Sequence, residues 1–412
     1  MNTVLPLLHT AGPPSGTPGP DALPDSARAG LTATPFGLYV HVPFCATRCG
    51  YCDFNTYTSD ELGPGANRTE YAGTAMAELR RAAATLGPDL PTVSTVFVGG
   101  GTPTLLPADD LAALLAAVRE LFPVADDVEV TTEANPESVT PASLTRLREA
   151  GFTRVSLGMQ SAAEHVLAVL DRVHTPGRAI EAAAEARAAG FEHVNLDLIY
   201  GAPGETDRDW AASLDAVLAA PVDHVSAYAL IVEDGTRLAR RIARGELPMP
   251  DDDVLADRYE QADAAFGGAG LDWYEVSNWA TGPAARCRHN ELYWAGANWW
   301  GIGPGAHSHV GGLRWWNVKH PAAYADRLAA GGSPAQDAEL LSDADRALET
   351  VMLGLRLREG LPLSRLTATG RERARDAVAR GLLEPTAHES GRAVLTDRGR
   401  LLADAVVRDL TD

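Results

Sequence analysis

Leu38-Tyr39-Val40-His41-Val42-Pro43-Phe44-Cys45-Ala46-Thr47-Arg48-Cys49-Gly50-Tyr51-Cys52-Asp53-Phe54 is the stretch on which the fold turns. The apolar, β-branched run Leu38–Val42 reads as a strand, and a loop with the spacing C-x3-C-x2-C follows at once. Three thiolates so spaced can each take one corner of a cubane. Iron–sulfur clusters are normally held by four cysteines, so three leave one iron open to a small molecule that chelates through amino and carboxylate groups. Two other chemistries compete for these residues. A zinc site would need a fourth ligand, His41 or Cys287. The pair Cys49 and Cys52 has the spacing of a redox dithiol, a reading that leaves Cys45 idle.

The rest of the composition narrows the choice. Only four cysteines occur in 412 residues, too few and too clustered for a disulfide framework, so thiols in a reducing compartment are expected. The formal net charge of -20 argues against a nucleic-acid partner, which wants clustered Lys and Arg. No apolar run approaches the ~20 residues that span a bilayer, and no basic-then-apolar leader opens the chain. A cytoplasmic protein is expected.

Outward from the loop, short β-branched runs alternate with longer Ala/Leu-rich amphipathic ones, the pattern of repeated βα units. Strands are expected at Leu38–Val42, Val93–Val98, Val128–Thr132, Arg154–Leu157, His193–Leu198 and His224–Tyr228. Helices are expected at Glu70–Leu86, Ala108–Leu121, Pro141–Ala150, Pro176–Ala189, Asp207–Ala219 and Asp251–Gly268. Six units in series predict an α/β fold, a partial (β/α)6 barrel over residues 37–270, with its chemistry on the loops after the strands. Residues 1–36, rich in Pro, Gly and Ala, read as a disordered extension. Residues 271–340, dense in Trp, Tyr, His and Gly, read as a connecting segment. The tail, 341–412, reads as three short helices and a hairpin-like stretch, Gly381–Leu395. It completes a C-terminal α+β extension ending in a small winged-helix-like module, a structural cap or partner surface.

The polar outliers gather at the expected strand ends. After Val93–Val98 come Gly99-Gly100-Gly101-Thr102, where glycines let backbone approach a ligand. Glu133 ends the third strand, Gln160 follows the fourth with Arg172 beyond it, and Asp197 interrupts the apolar fifth. A charged Asp within a strand is costly unless paired or bound to a ligand; a salt bridge to Arg172 is the alternative.

Taken together, residues Gly37 to Thr396 resemble the radical S-adenosylmethionine superfamily, in the branch of oxygen-independent coproporphyrinogen III oxidase and its haem-chaperone relatives. The resemblance implies a [4Fe–4S] cluster on Cys45, Cys49 and Cys52, and S-adenosylmethionine held by Gly100, Gly101, Thr102, Glu133, Gln160, Arg172 and Asp197. It places Tyr39 and Tyr51 beside the cluster. The oxidase carries a fourth cysteine two positions after the third; Phe54 stands there in this chain. Arg286-Cys287-Arg288-His289-Asn290-Glu291-Leu292-Tyr293-Trp294 instead resembles the His-Asn-x-x-Tyr-Trp motif of the chaperones. That implies haem as cargo with His289 near it, Cys287 as a competing thiolate, and delivery to unidentified haem-accepting proteins. The resemblance leaves a cluster-linked homodimer open. The alternative is radical decarboxylation of a porphyrinogen by the oxidase route. The loop Gly301–Ser308 also matches the chaperones, and its glycines predict close packing against the barrel mouth; His307 within it receives no role.

Overall fold

The computed structural model describes residues 23–32, 34–62 and 68–411. All six expected strands form, in chain order and side by side: β1 (Phe36–Val42), β2 (Val93–Gly100), β3 (Val124–Ala134), β4 (Arg154–Gln160), β5 (His193–Tyr200) and β6 (His224–Ala229). Every neighbouring pair among them is parallel. Helices on the expected segments connect them. Two start on capping boxes, in which Thr140 and Thr206 each accept a backbone N–H three residues on and the side chain there bonds back. Central strands of such a sheet are covered on both faces, and β4 is buried at every position.

Parallel order sends every strand end to one rim. The register pairs Val42 with Gly100, so the cysteine loop and the glycine turn leave the sheet side by side. That placement builds the site described below.

Three features differ from expectation. The segment 271–340 does not stand apart from the barrel but supplies both edges of its sheet. β8 (Asn278–Ala280) pairs antiparallel with β6 and carries β7 (Asp272–Glu275). β9 (Asn298–Ile302) pairs parallel with β1 and leads to β10 (His307–Val310), β11 (Leu313–Asn317) and β12 (Ala335–Leu340). The result is a twelve-stranded open sheet ending in β12 and β7. An open barrel leaves two edges with unpaired backbone groups, and these strands cover them. They are too short for their alternation to register in the sequence.

The expected disordered extension also needs correction. Its first part, 1–22, lies outside the described residues, but Asp25–Ala29 is a helix, with Leu23, Ala27 and Leu31 buried. Arg28 donates to the carbonyls of Leu86 (2.9 Å) and Thr85 (3.0 Å), and Asn298 to that of Gly30 (3.0 Å). A few apolar residues docked on β9 and the helix Arg68–Leu86 order a segment whose composition suggests none.

In the tail, helices Asp343–Gly354 and Ala368–Ala379 enclose a small apolar core of their own that includes Val351, Leu355, Ala374 and Leu383. The hairpin-like stretch is closed by a bridge between Leu383 and Leu395, but a short helix, Pro385–Glu389, fills it. The chain then ends on helices Asp397–Leu401 and Ala403–Thr411 rather than on the hairpin. Thr396 starts the first of them by accepting from Gly399 N. Arg400 fastens the module to the barrel, bonded to Asp263 at 3.0 Å and lying 4.5 Å from the Trp273 ring.

Candidate cofactor site

The cysteine loop is held by backbone bonds from three directions. Cys45 N donates to Tyr57 O (3.0 Å), Gly50 N to Leu170 O (3.0 Å), and Leu238 N to Gly50 O (2.7 Å). Cys45, Cys49 and Cys52 are unpaired, partly buried and all line one cavity of about 370 Å³ at the strand ends. Burial raises the Cys45 thiol and pushes that of Cys52 up to about 12, so a positive partner is required to hold them as thiolates. Arg172 is one such partner, donating from Nη1 to Cys49 Sγ at 3.4 Å.

The zinc alternative finds no support in the geometry. Among the described residues no three His, Cys, Asp or Glu side chains are grouped as a single ion requires. His41 has Nδ1 2.9 Å from the Tyr39 hydroxyl and Nε2 2.9 Å from Asn55 O. Cys287 is buried, its Sγ 3.7 Å from Glu129 Oε1. Neither is free to complete a site on the loop.

The glycine turn is laced to the cysteine loop. Gly101 N donates to Val42 O (2.8 Å) and Thr102 N to Phe44 O (2.7 Å). A Cβ on Gly101 would meet Phe44 O at 2.5 Å and Cys45 Sγ at 3.0 Å, so no side chain fits there. Gly100, at φ 110°, donates its N–H to Glu133 Oε2 at 2.9 Å. Burial, and then the charge of Asp197, push Glu133 up to about 7.

Asp197 is not in a salt bridge with Arg172. Its carboxylate accepts from Ser156 Oγ (2.9 Å) and Asn195 Nδ2 (2.7 Å), and burial raises its pKa. The Arg172 guanidinium donates instead to Cys49 and to Gly158 O (3.2 Å), leaving Nε without a partner. Gln160 sits on a bulge of β4 at φ 66°, and Asp171, beside Arg172, is at φ 52°. Both line the cavity; left-handed backbone at non-glycine residues gathers where a ligand is clamped.

Sequence reasoning missed the partners of Asp197. Thr131 and Glu133 on β3, Ser156 and Gly158 on β4, and Asn195 and Asp197 on β5 all line the cavity. Each pair is spaced by two, so each faces inward. The available signal was that small or polar residues spaced by two recur near the ends of adjacent strands.

Two expected site residues lie elsewhere. Tyr39 is not among the residues lining the cavity; its ring is tilted 6.3 Å from that of Phe97 and stacked 6.5 Å from that of His289. His289 is fully buried, its Nδ1 2.7 Å from Thr95 Oγ1 and its Nε2 2.9 Å from the Tyr293 hydroxyl. Both nitrogens are engaged, burial pushes its pKa down to about 3, and in this arrangement the ring pins the helix Arg288–Trp294 to β2. Cys287 lines the cavity. The Gly301–Ser308 loop packs as expected: Gly303 abuts the His41 carbonyl, and Asn55 donates to Pro304 O at 2.9 Å.

Three unpaired thiols on one loop, a glycine cradle with no space for a side chain and an unpartnered Arg172 Nε suit a cluster with a small polar ligand beside it. Comparisons with known proteins agree. The radical SAM superfamily model matches residues 39–217, and the HemN C-terminal domain model matches 341–402. The chain is 59% identical to the heme chaperone HemW of Mycobacterium tuberculosis over 93% of its own length and 96% of that protein's. The chain belongs to the HemW family of radical SAM proteins. It is 34% identical to the Bacillus subtilis heme chaperone HemW, covering 89% of this chain and 97% of that one. Coproporphyrinogen III oxidase (HemN) from Escherichia coli, a radical SAM enzyme, shares the fold with a TM-score of 0.80, over 99% of this chain and 98% of that one, at 23% identity. Among the described residues no helix is long and apolar enough to cross a membrane.

Proposed function

We propose that this protein is a cytosolic haem chaperone that binds haem and passes it to haem-accepting proteins, carrying a [4Fe–4S] cluster and S-adenosylmethionine in its barrel. Cys45, Cys49 and Cys52 hold the cluster. Gly100, Gly101 and Thr102 offer backbone to the methionine end of the cofactor, and Glu133 accepts from its ammonium. Arg172, Gln160, Asp197 and Tyr51 line the rest, with Tyr39 supporting from behind. When bound, the cluster supplies an iron with an open position and one-electron redox chemistry; the protein orients the ligand and excludes water.

One observation carries the choice of chaperone over oxidase. Phe54, at the position of the oxidase's fourth cysteine, lines the cavity as a partly buried aromatic side chain. An apolar wall there removes a thiol that the oxidase pattern requires. The test is anaerobic haem titration of the reconstituted protein beside a coproporphyrinogen turnover assay. Saturable binding of about one haem per chain with no protoporphyrinogen formed is the expected result. Turnover without haem binding would replace this reading with the oxidase.

A further inference from the structure

The two later cysteines of the loop are held by different parts of the chain. Cys49 is fixed from the far side of the barrel, through the Gly50 backbone bonds to Leu170 and Leu238 and through Arg172, 3.4 Å from its sulfur. Cys52 has none of these supports. Its thiol takes a backbone hydrogen bond from Phe54, so its place depends on what holds the turn that follows it.

Asn55 holds that turn. Its Nδ2 donates to Pro304 O (2.9 Å) and to Lys319 O (2.8 Å), its Oδ1 accepts from the Tyr57 hydroxyl (3.1 Å), and its own carbonyl lies 2.9 Å from His41 Nε2. Asparagine side chains in turns usually bond backbone a few residues away. The two amide bonds of Asn55 instead span 249 and 264 residues. Pro304 follows β9 and Lys319 follows β11, so the strands that close one edge of the open barrel also grip the cysteine loop.

The acceptor loop is shaped for this contact. Gly305, at φ 74°, has room for no side chain, because a Cβ there would meet Asn55 Nδ2 at 2.6 Å. Gly303, at φ 108°, lies equally close to the His41 carbonyl. Left-handed backbone and close approach are both what glycine permits. Behind the loop, Gly303 N donates to the buried Glu78 carboxylate (2.7 Å) and Asn317 Nδ2 to Gly303 O (2.9 Å). The grip therefore bears on a fixed frame.

We propose that Asn55 is a positioning residue for the cluster: it ties the arm that carries Cys52 to the loops after β9 and β11 and so sets how firmly the third thiolate is presented and how long the cluster is kept. This rests on the cluster of the proposed function. Groups that hold a metal's ligands in place contribute about 10- to 100-fold to metal retention, and Asn55 occupies that position while touching no iron itself.

The experiment compares the full chain as wild type, Asn55→Ala and Tyr57→Phe. After anaerobic reconstitution, iron release to excess chelator is followed optically. In the iron-free chain under native conditions, the rates at which iodoacetamide alkylates Cys49 and Cys52 are read separately by mass spectrometry. Asn55→Ala should release iron at least tenfold faster and expose Cys52 to alkylation by a similar factor, with Cys49 unchanged. Tyr57→Phe, which removes only the hydroxyl bonded to Asn55 Oδ1, should move both readouts the same way by a smaller factor, and it carries the test if Asn55→Ala does not fold. Unchanged iron release, or equal acceleration at Cys49 and Cys52, overturns the proposal, the latter because a general loosening of the loop would act on both thiols. A wild type that takes up no iron overturns the cluster reading instead, and the alkylation rates then decide the grip of Asn55 on their own.

Discussion

Gly100 and Glu133, on neighbouring parallel strands, are joined by a 2.9 Å bond from the glycine N–H to the carboxylate. The bond fixes one oxygen of Glu133, which lines the same cavity as the cysteine loop. Glu133→Ala should therefore weaken S-adenosylmethionine binding by about 10- to 100-fold, the equivalent of ~1–3 kcal/mol for a charge-assisted contact. Iron content should not change. Equilibrium dialysis with labelled cofactor, set beside iron analysis, separates the two effects; equal loss of both would refute this role.

Replacing Cys45, Cys49 or Cys52 by serine should abolish the cluster, taking iron from about four per chain to near zero after anaerobic reconstitution. Cys287→Ser should leave iron content intact, because that thiol is buried against Glu129. Gly101→Ala should behave like the loop variants, since its Cβ would strike Phe44 O and Cys45 Sγ.

For His289→Ala the expected loss is structural. The change empties a buried ring position and strands Thr95 and Tyr293, a cost of about 2–4 kcal/mol. The midpoint of urea unfolding should fall. An unchanged midpoint would refute this structural role.

The buried carboxylate of Glu78 gives a pH signature. It accepts from Gly303 N (2.7 Å) and Asn317 Nδ2 (2.7 Å) and bonds the Tyr324 hydroxyl, yet burial pushes it up to about 7. The folded state thus holds a proton that the unfolded state releases near 4.5. Its contribution is fully present below about pH 4.5 and is lost as pH rises through 7. Wild type should lose stability relative to Glu78→Gln between pH 5 and 8, by up to about 3 kcal/mol. Urea titrations of both proteins at the two pH values check it; a constant difference would rule it out.

The sequence by itself determined the parallel array and the grouping of the three loop cysteines. Long apolar strands and capped helices announce themselves through local periodicity, and three cysteines within eight residues must share a loop whatever the rest of the chain does. It also marked Glu133, Gln160, Arg172 and Asp197, because polar groups at strand ends stand out against apolar runs. Tertiary structure alone decided how they are used. Asp197 rests on Ser156 and Asn195 rather than on Arg172, a choice made by strand register between β4 and β5. The twelve-stranded sheet and the ordered Asp25–Ala29 helix depend on edges that exist only after the barrel forms. His289 and His174 carry the same imidazole and differ in surroundings. One has both nitrogens bonded, to Thr95 and Tyr293, and the other has a buried Nδ1 without a hydrogen-bond partner. Which neighbour holds a ring nitrogen is decided by residues distant in sequence.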